Sequence, residues 1–194
     1  GRTTLAGEGL QHQDGHSLLA ASTIPNCVAY DPAYGYELAV IIHDGMRRMY
    51  EAQERVFYYI TVMNENYVQP ALPEGAEEGI LRGMYRLRSG APQKRHVQLL
   101  GSGTILREVL AAAARLEKDF QGSSALWSVP SVSELRRDGI DCERWNMLHP
   151  AESPRHSYVA TSLAGQAGPC IAATDYMGFV ADQVRPWVPG RYVV

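Results

Sequence analysis

The sequence predicts an α/β fold with two sheets, each largely parallel and covered by helices on both faces. Helix-like and strand-like segments alternate about every 20 residues, which is typical of this class. Residues 56–63 (VFYYITVM) form a continuous aromatic and β-branched run, which indicates a strand buried on both faces. Residues 64–94 are rich in proline and glycine and separate two alternating regions, so we expect two domains.

The first region predicts a loop, a short helix, a strand, a long helix and the strand at 56–63. Residues 1–15 are glycine-rich and polar, which predicts the loop, and residues 16–22 predict one or two helical turns. Residues 27–30 (CVAY) end at an Asp-Pro pair and predict a buried strand. Residues 37–54 predict a helix because apolar residues recur at helical spacing. The apolar face predicted for this helix contains Leu38, Ile41, Ile42, Met46 and Met49.

Residues 64–94 are interpreted as a linker with a short helix and a hairpin-like segment near Met84 and Tyr85. The second region alternates again. Its predicted strands lie at 97–100, 124–129, 158–163, 170–174 and from 192 onward. Its predicted helices lie at 105–119, 133–135, 142–148 and 176–184. Ser133 is the candidate N-cap of the second of these helices, and the first is expected to bury Ile105, Val109, Ala112 and Leu116.

Composition and charge narrow the classes of function. The chain has 194 residues, of which 45% are hydrophobic and 20% charged, an ordinary globular composition. Its net charge is −3 and it contains no long basic run, so we expect no nucleic-acid partner. No apolar stretch reaches the length of a membrane span and no signal-peptide pattern opens the chain, so we expect a cytoplasmic location and no membrane partner.

The densest polar cluster is GEGLQHQDGH at residues 7–16. Its glycines allow close approach of a ligand, and its carboxylates and imidazoles offer acid, base and metal-ligand chemistry. In one interpretation, Glu8 and His12 are acid and base groups on a loop beside a sheet. In a second, His12, Asp14 and His16 bind a metal ion, although Gly15 disfavours the helix that such spacing needs. In a third, the segment is an exposed loop whose polar side chains cap turns.

Three further features have simpler interpretations. GSGT at 101–104 resembles the start of a dinucleotide-binding fingerprint, but Leu106 stands where the third glycine belongs, so we expect a plain strand-to-helix turn. NENY at 64–67 follows a strand and either reaches the same crevice or forms a polar loop. The three cysteines are widely spaced with no CxxC pair, which predicts free buried thiols. They are Cys27, Cys142 and Cys170.

Six separated segments together identify a family. They are GRTTLAGEGLQHQDGHS, NCVAYDPAYGYE, FYYITVMNENYVQPALPEG, LLGSGTILREV, LRRDGIDCERWN and ATDYMGFVADQVRPWVP. In this order they resemble the homodimeric bacterial pyruvate dehydrogenases, the thiamine-diphosphate-dependent decarboxylating components of the pyruvate dehydrogenase complex. The similarity extends from residue 1 to residue 194.

The resemblance implies a domain organisation and an activity. Residues 1–66 would be the end of a transketolase-type pyrimidine-binding domain, 67–95 a linker, and 96–194 a transketolase-type C-terminal domain that is truncated at its end. The implied reaction is oxidative decarboxylation of pyruvate, with the acetyl group passed to the lipoyl domain of a dihydrolipoyl acetyltransferase. The implied partner in the subunit assembly is a second copy of the chain, and Glu8 and His12 would reach the active centre at that interface.

The resemblance also implies thiamine diphosphate and Mg²⁺ in the full-length enzyme. The family motif that binds the diphosphate and the metal, a GDG sequence followed by a distant asparagine, is absent from these residues, as is the glutamate that activates the aminopyrimidine. The cofactor-binding residues are therefore expected outside this sequence. We expect a piece of a longer subunit that by itself binds neither cofactor nor metal and is inactive.

Two alternatives remain open from the residues. A transketolase-like ketol transferase would need basic residues for a sugar phosphate, and residues 1–70 offer few. These are Arg2, Arg47, Arg48 and Arg55. A non-catalytic assembly module, retained for its surfaces without the cofactor domain, is the second alternative.

Overall fold

The computed structural model describes residues 3–4, 9–91 and 93–194. Seven α-helices and seven strands occur in these residues. The helices are α1 (Ser17–Ser22), α2 (Gly35–Met46), α3 (Glu77–Arg82), α4 (Ile105–Phe120), α5 (Val132–Leu148), α6 (Tyr158–Leu163) and α7 (Phe179–Asp182). The strands are β1 (Cys27–Tyr30), β2 (Phe57–Ile60), β3 (Tyr85–Arg88), β4 (His96–Gly101), β5 (Ser123–Ser128), β6 (Cys170–Ala173) and β7 (Tyr192–Val193). None of the described helices combines the length and apolarity required to cross a bilayer.

The first sheet is a parallel pair, β1 and β2, in register from Cys27 opposite Phe57 to Tyr30 opposite Ile60. Strand β1 is buried along its whole length, as predicted. Strand β2 is shorter than predicted and is not buried on both faces, since Phe57 is 41% exposed. The reason is that β2 pairs only with β1 among the described residues, so its outer edge has no neighbouring strand.

The second sheet has five strands in the order β3-β5-β4-β6-β7. Its neighbours are parallel except for β3, which pairs antiparallel with β5. The prediction of a hairpin near Met84 and Tyr85 is therefore wrong, because the partner of β3 is a strand far along the chain. Segment β3 lies within the residues interpreted as a linker, yet it forms an edge of this sheet.

Helices cover both faces of the second sheet, as predicted. Leu99 and Leu126 face α4 and pack with Val109. The next residues, Leu100 and Trp127, point to the opposite face, where they join the cluster formed by α5, α6 and α7. Successive side chains of a strand alternate between faces, so two separate cores lie on the two sides of one sheet.

Residues 158–163 form helix α6 instead of the predicted strand. The Ser157 hydroxyl accepts a hydrogen bond from the backbone N–H of Ala160 (3.3 Å), which is a helix N-cap. Val159 and Leu163, four residues apart, are both buried on one side of the helix. The alternating apolar pattern of this short run fits either structure, and the cap favours the helix. The helix predicted at 176–184 is confirmed only in part, because α7 has a single turn.

Helix α5 is one continuous helix where two short ones were predicted. Its N-cap is Ser131 and not Ser133, since the Ser131 hydroxyl accepts from the N–H of Glu134 at 3.1 Å. The same hydroxyl donates to the carbonyl of Ala29 in β1 at 2.6 Å. Ser131 therefore begins α5 and also ties the second region to the edge of the first sheet.

The buried faces of α2 and α4 differ from the predicted ones. On α2, Ile41 is fully buried, whereas Ile42 and Met46 are 45% and 58% exposed. Glu37 and Asp44 occupy inward positions because each finds hydrogen-bond donors there.

On α4, the buried residues are Leu106, Val109 and Ala113, so the face is displaced from the predicted Ala112 and Leu116. Beyond Met46, the helix continues as a π-helical turn, Arg47–Glu51.

Replacing Ser131 with alanine is expected to lower the free energy of unfolding by roughly 2–3 kcal/mol, because both a helix cap and a buried bond to Ala29 are lost. Ser157→Ala is the matched control, since Ser157 is as buried and caps α6 but makes no bond between the two regions. It should cost only about 1 kcal/mol. Urea denaturation of both variants measures the difference, and equal losses would contradict the role assigned to the Ala29 bond.

Candidate functional site

The carboxyl ends of strands from both sheets meet at one crevice. Asp31 follows β1, and its N–H donates to the carbonyl of Pro130, which follows β5 (2.7 Å). The carbonyl of Asp31 accepts from the N–H of Gly103, which follows β4 (3.0 Å). Ligands of α/β proteins bind outside the carboxyl ends of parallel strands. We call this region the carboxyl-edge crevice.

The carboxylate of Asp31 lies on the inner wall of this crevice. Asp31 is 3% exposed, and its Oδ1 accepts a hydrogen bond from the hydroxyl of Thr61 after β2 (2.5 Å). Gly103 adopts φ +48°, and a Cβ there would lie 2.4 Å from Oδ2 of Asp31. Only glycine combines that backbone conformation with so close an approach. Sequence reasoning treated Asp31 only as the end of a strand, although an acidic residue directly after a buried strand was a usable signal.

The polar loop at residues 9–16 borders the crevice beside the end of β6. The carbonyl of Gly15 accepts from the N–H of Met177 (3.0 Å). The N–H of Thr3 donates to Oδ2 of Asp175, the second acidic residue that follows a strand (3.4 Å). The contact between Gly15 and Met177 brings the loop to the edge at which β6 ends.

His12 lies in this loop and its side chain is exposed. It ends a single 3₁₀ turn, Leu10–His12, in which its N–H donates to the carbonyl of Gly9 at 3.0 Å. Glu8 lies outside the described residues. The joint action of Glu8 and His12 therefore stays a prediction.

Asp14 caps helix α1. Its Oδ1 accepts from the N–H groups of His16 (3.1 Å) and Ser17 (2.9 Å), and its Oδ2 accepts from the Ser17 hydroxyl. Within residues 3–4, 9–91 and 93–194, no three His, Cys, Asp or Glu side chains converge as a metal site does. The structure does not bring His12, Asp14 and His16 together as ligands.

The turn at 101–104 is a plain strand-to-helix connection, as expected. A Cβ on Gly101 would lie 2.9 Å from Val109 and 3.1 Å from the Cα of Leu106, so the turn packs directly on α4. Residues 64–67 form a loop and not a strand. Glu65 pairs with Arg107 of α4 (2.8 Å), and the Tyr67 hydroxyl donates to a carbonyl of the β1–α2 loop.

The described arginines of the first region lie at the opposite end of α2. Arg47 pairs with Asp44 (2.7 Å) and Arg48 with Glu54 (2.8 Å). Helix α2 leads from the carboxyl end of β1 back to the start of β2, so its last residues lie at the amino ends of the strands. Arg55 precedes β2 at that same end, and Arg2 lies outside the described residues. Arg47, Arg48 and Arg55 are therefore not placed to bind a phosphate in the crevice.

The cysteines are free, as predicted. Cys27 and Cys170 are buried, and Cys142 is half-buried. Burial raises the pKa of all three thiols, which disfavours the thiolate form that acts as a nucleophile.

Comparison with known families assigns the class of protein. Residues 1–70 match the pyruvate dehydrogenase E1 component middle domain, and residues 83–191 match the transketolase-like TK C-terminal domain. The second match covers more than half of the sequence, and the chain belongs to that family. Two transketolase structures from Pichia stipitis cover 88% of this chain and 22% of their own, with TM-scores of 0.59 and 0.58 at 17% identity. The transketolase-type fold predicted from the sequence is confirmed.

Individual relatives that match almost the whole chain are named pyruvate dehydrogenase E1 components. The protein of that name from Pseudomonas aeruginosa is 64% identical over 98% of this chain, and the one from Cupriavidus necator is 58% identical over 100%. The Escherichia coli K12 protein is 60% identical over 97%. The chain spans about a fifth of the length of these relatives (22%, 22% and 21%). The resemblance recognised in the sequence is confirmed.

Proposed function

We propose that this chain is a segment of a thiamine-diphosphate-dependent pyruvate dehydrogenase subunit. The subunit decarboxylates pyruvate and passes the acetyl group to a lipoyl group, and so acts as an oxidoreductase with a disulfide acceptor. The observation that carries the proposal is the 64% identity over 98% of the chain to a pyruvate dehydrogenase E1 component. The position of Arg47 and Arg48 away from the crevice favours a 2-oxo acid over a sugar phosphate as the substrate.

The charge of the carboxyl-edge crevice bears on where the cofactor binds. Asp31 and Asp175, which follow β1 and β6, both carry carboxylates. A diphosphate is repelled by carboxylates unless a metal ion or cations offset the charge. We therefore assign the diphosphate and Mg²⁺ to residues of the subunit outside this chain. When bound, thiamine diphosphate supplies the nucleophilic carbon and the electron sink for decarboxylation.

His12 supplies the proton chemistry in this proposal. A histidine near neutral pH can be a cation that orients the carboxylate of pyruvate or a neutral base that accepts a proton. Glu8 is four residues earlier in the same loop, and its carboxylate either holds the imidazole or shares a proton with the aminopyrimidine. The exposed side chain of His12, on the loop that borders the crevice, supports its access to substrate.

The proposed partners are a second copy of the subunit and the lipoyl domain of a dihydrolipoyl acetyltransferase, in the cytoplasm. Ile42, Met46 and Tyr50 are 45%, 58% and 75% exposed along α2 and its π-helical continuation. A run of large apolar side chains of this kind is typical of a surface that another chain or domain covers. This surface supports an assembly larger than the 194 residues.

Titrating thiamine diphosphate with Mg²⁺ into the isolated chain is expected to give no saturable heat, because the diphosphate and metal ligands lie elsewhere in the subunit. Calorimetry makes the measurement, and the whole subunit under the same conditions is the positive control. Saturable binding to the isolated chain with an affinity equal to that of the subunit would contradict this assignment of the cofactor site.

A further inference from the structure

Glu37, in the first turn of α2, is fully buried and accepts four hydrogen bonds. Its Oε2 accepts from the backbone N–H groups of Ala33 and Tyr34 in the β1–α2 loop. Its Oε1 accepts from the hydroxyls of Tyr85 on β3 (2.7 Å) and Ser128 on β5 (2.6 Å). We call the region with β1 and β2 the first unit and the region with the five-stranded sheet the second unit. One carboxyl group therefore connects the first unit to two strands of the second.

The partners of Glu37 in the described part of the chain are all neutral groups. Burial raises the pKa of its carboxyl group, and the four hydrogen bonds oppose that rise. Hydroxyl groups can accept as well as donate. The hydroxyl of Tyr85 also lies 2.5 Å from that of Tyr36, so it has a second partner when its proton turns away from Glu37.

We propose that Glu37 is the positioning residue that joins the two units, through a network that both its ionised and its neutral form satisfy. In the ionised form, Tyr36 donates to Tyr85, and Tyr85 and Ser128 donate to Glu37. In the neutral form, the acid O–H donates to Tyr85, Tyr85 donates to Tyr36, and the hydroxyl proton of the half-buried Tyr36 turns away from Tyr85. The inference concerns the fold and does not depend on the proposed reaction.

The other titratable groups near Glu37 do not change charge at moderate pH. They are the tyrosines Tyr34, Tyr36, Tyr67 and Tyr85, whose pKa values are raised by burial. The charged groups of this region are Arg107, which lies over the Tyr67 ring, and Glu65, which pairs with it at 2.8 Å. Glu37 is therefore the carboxyl group of this network, and burial raises its pKa above the usual range.

The segment that Glu37 holds is part of the carboxyl-edge crevice. Ala33 and Tyr34 follow Asp31, whose backbone contacts Gly103 and Pro130 of the second unit. Fixing the loop at Ala33 and Tyr34 thus also fixes where the strand ends of the two sheets meet. Glu37 acts on the crevice only through this loop.

Native-state hydrogen exchange on the full chain tests the proposal by comparing amides of β1 with amides of β4. Glu37→Leu leaves two buried N–H groups without acceptors, so exchange in β1 is expected to rise by about 10- to 100-fold relative to β4. In Glu37→Gln, the amide oxygen can face Ala33 and Tyr34 while the amide N–H₂ donates to Tyr85 and Ser128. In this variant, we expect the ratio of the exchange rate in β1 to that in β4 to stay within about threefold of its value in the unsubstituted chain, at pH 5 and at pH 8 alike.

Two results would overturn the proposal. An unchanged β1-to-β4 ratio in Glu37→Leu would show that Glu37 does not join the units, and an equal loss in Glu37→Gln would show that only the ionised form does. If Glu37→Leu does not fold, Ser128→Ala and Tyr85→Phe each remove one donor and should give smaller increases confined to β1. Tyr192→Phe is the control, because its hydroxyl bonds Ala181 within the second unit and its loss should not raise the ratio.

Discussion

His12→Ala in the whole subunit is expected to lower the rate of pyruvate turnover on the order of 10²-fold, the usual contribution of a general acid or base. The reason is that His12 lies on the loop that borders the crevice beside the carboxyl end of β6, where a substrate would bind. Carbon dioxide release with a saturating acceptor measures the rate. A loss in kcat with little change in KM would indicate a group that acts in the transition state.

His43→Ala is the matched control for this experiment. His43 is an exposed histidine in the last turn of α2, at the end away from the crevice, so its loss should leave the rate unchanged. If His12→Ala and His43→Ala have the same rate, His12 has no part in the mechanism. The dependence of the turnover rate on pH adds a second test. A variant without its acid or base no longer shows the change in rate that the titration of that group causes.

The fold was predictable to the extent that its signals are local. The buried strand at 27–30 and the strands at 97–100 and 124–129 are short apolar runs bounded by turn residues, and all three were confirmed. The pairing of β3 was not predictable, because its partner β5 is distant in sequence. The helix at 158–163 was missed because its apolar residues suit both periods and the decisive cap is a single hydroxyl.

The site was predictable in one part and not in another. The loop at 7–16 was recognised from its composition and from the family resemblance, and its described portion does border the carboxyl-edge crevice. Asp31 and Glu37 were missed because their importance depends on which strand ends are adjacent in space. Glu37 in particular occupies the first turn of a helix, where an acidic residue ordinarily favours the helix dipole and faces water.

Gly103→Ala is expected to lower the free energy of unfolding by roughly 2–4 kcal/mol, because two costs add. An alanine at φ +48° is strained, and its Cβ would lie 2.4 Å from the carboxylate of Asp31. That carboxylate cannot easily withdraw, since Asp31 is buried and bound to the Thr61 hydroxyl at 2.5 Å. Urea denaturation followed by circular dichroism measures the loss.

Gly165→Ala separates the two costs. Gly165 has φ +68° but open space around the position of a Cβ, so alanine there should cost only about 1 kcal/mol, from backbone strain. The excess loss in Gly103→Ala then reports the contact with Asp31, and shortening that side chain in Gly103→Ala/Asp31→Ala should recover part of it. Equal losses at the two glycines would mean that the ends of β1 and β4 are not held together at Asp31. A clear excess would mean that the crevice is set by a close contact between the ends of β1 and β4.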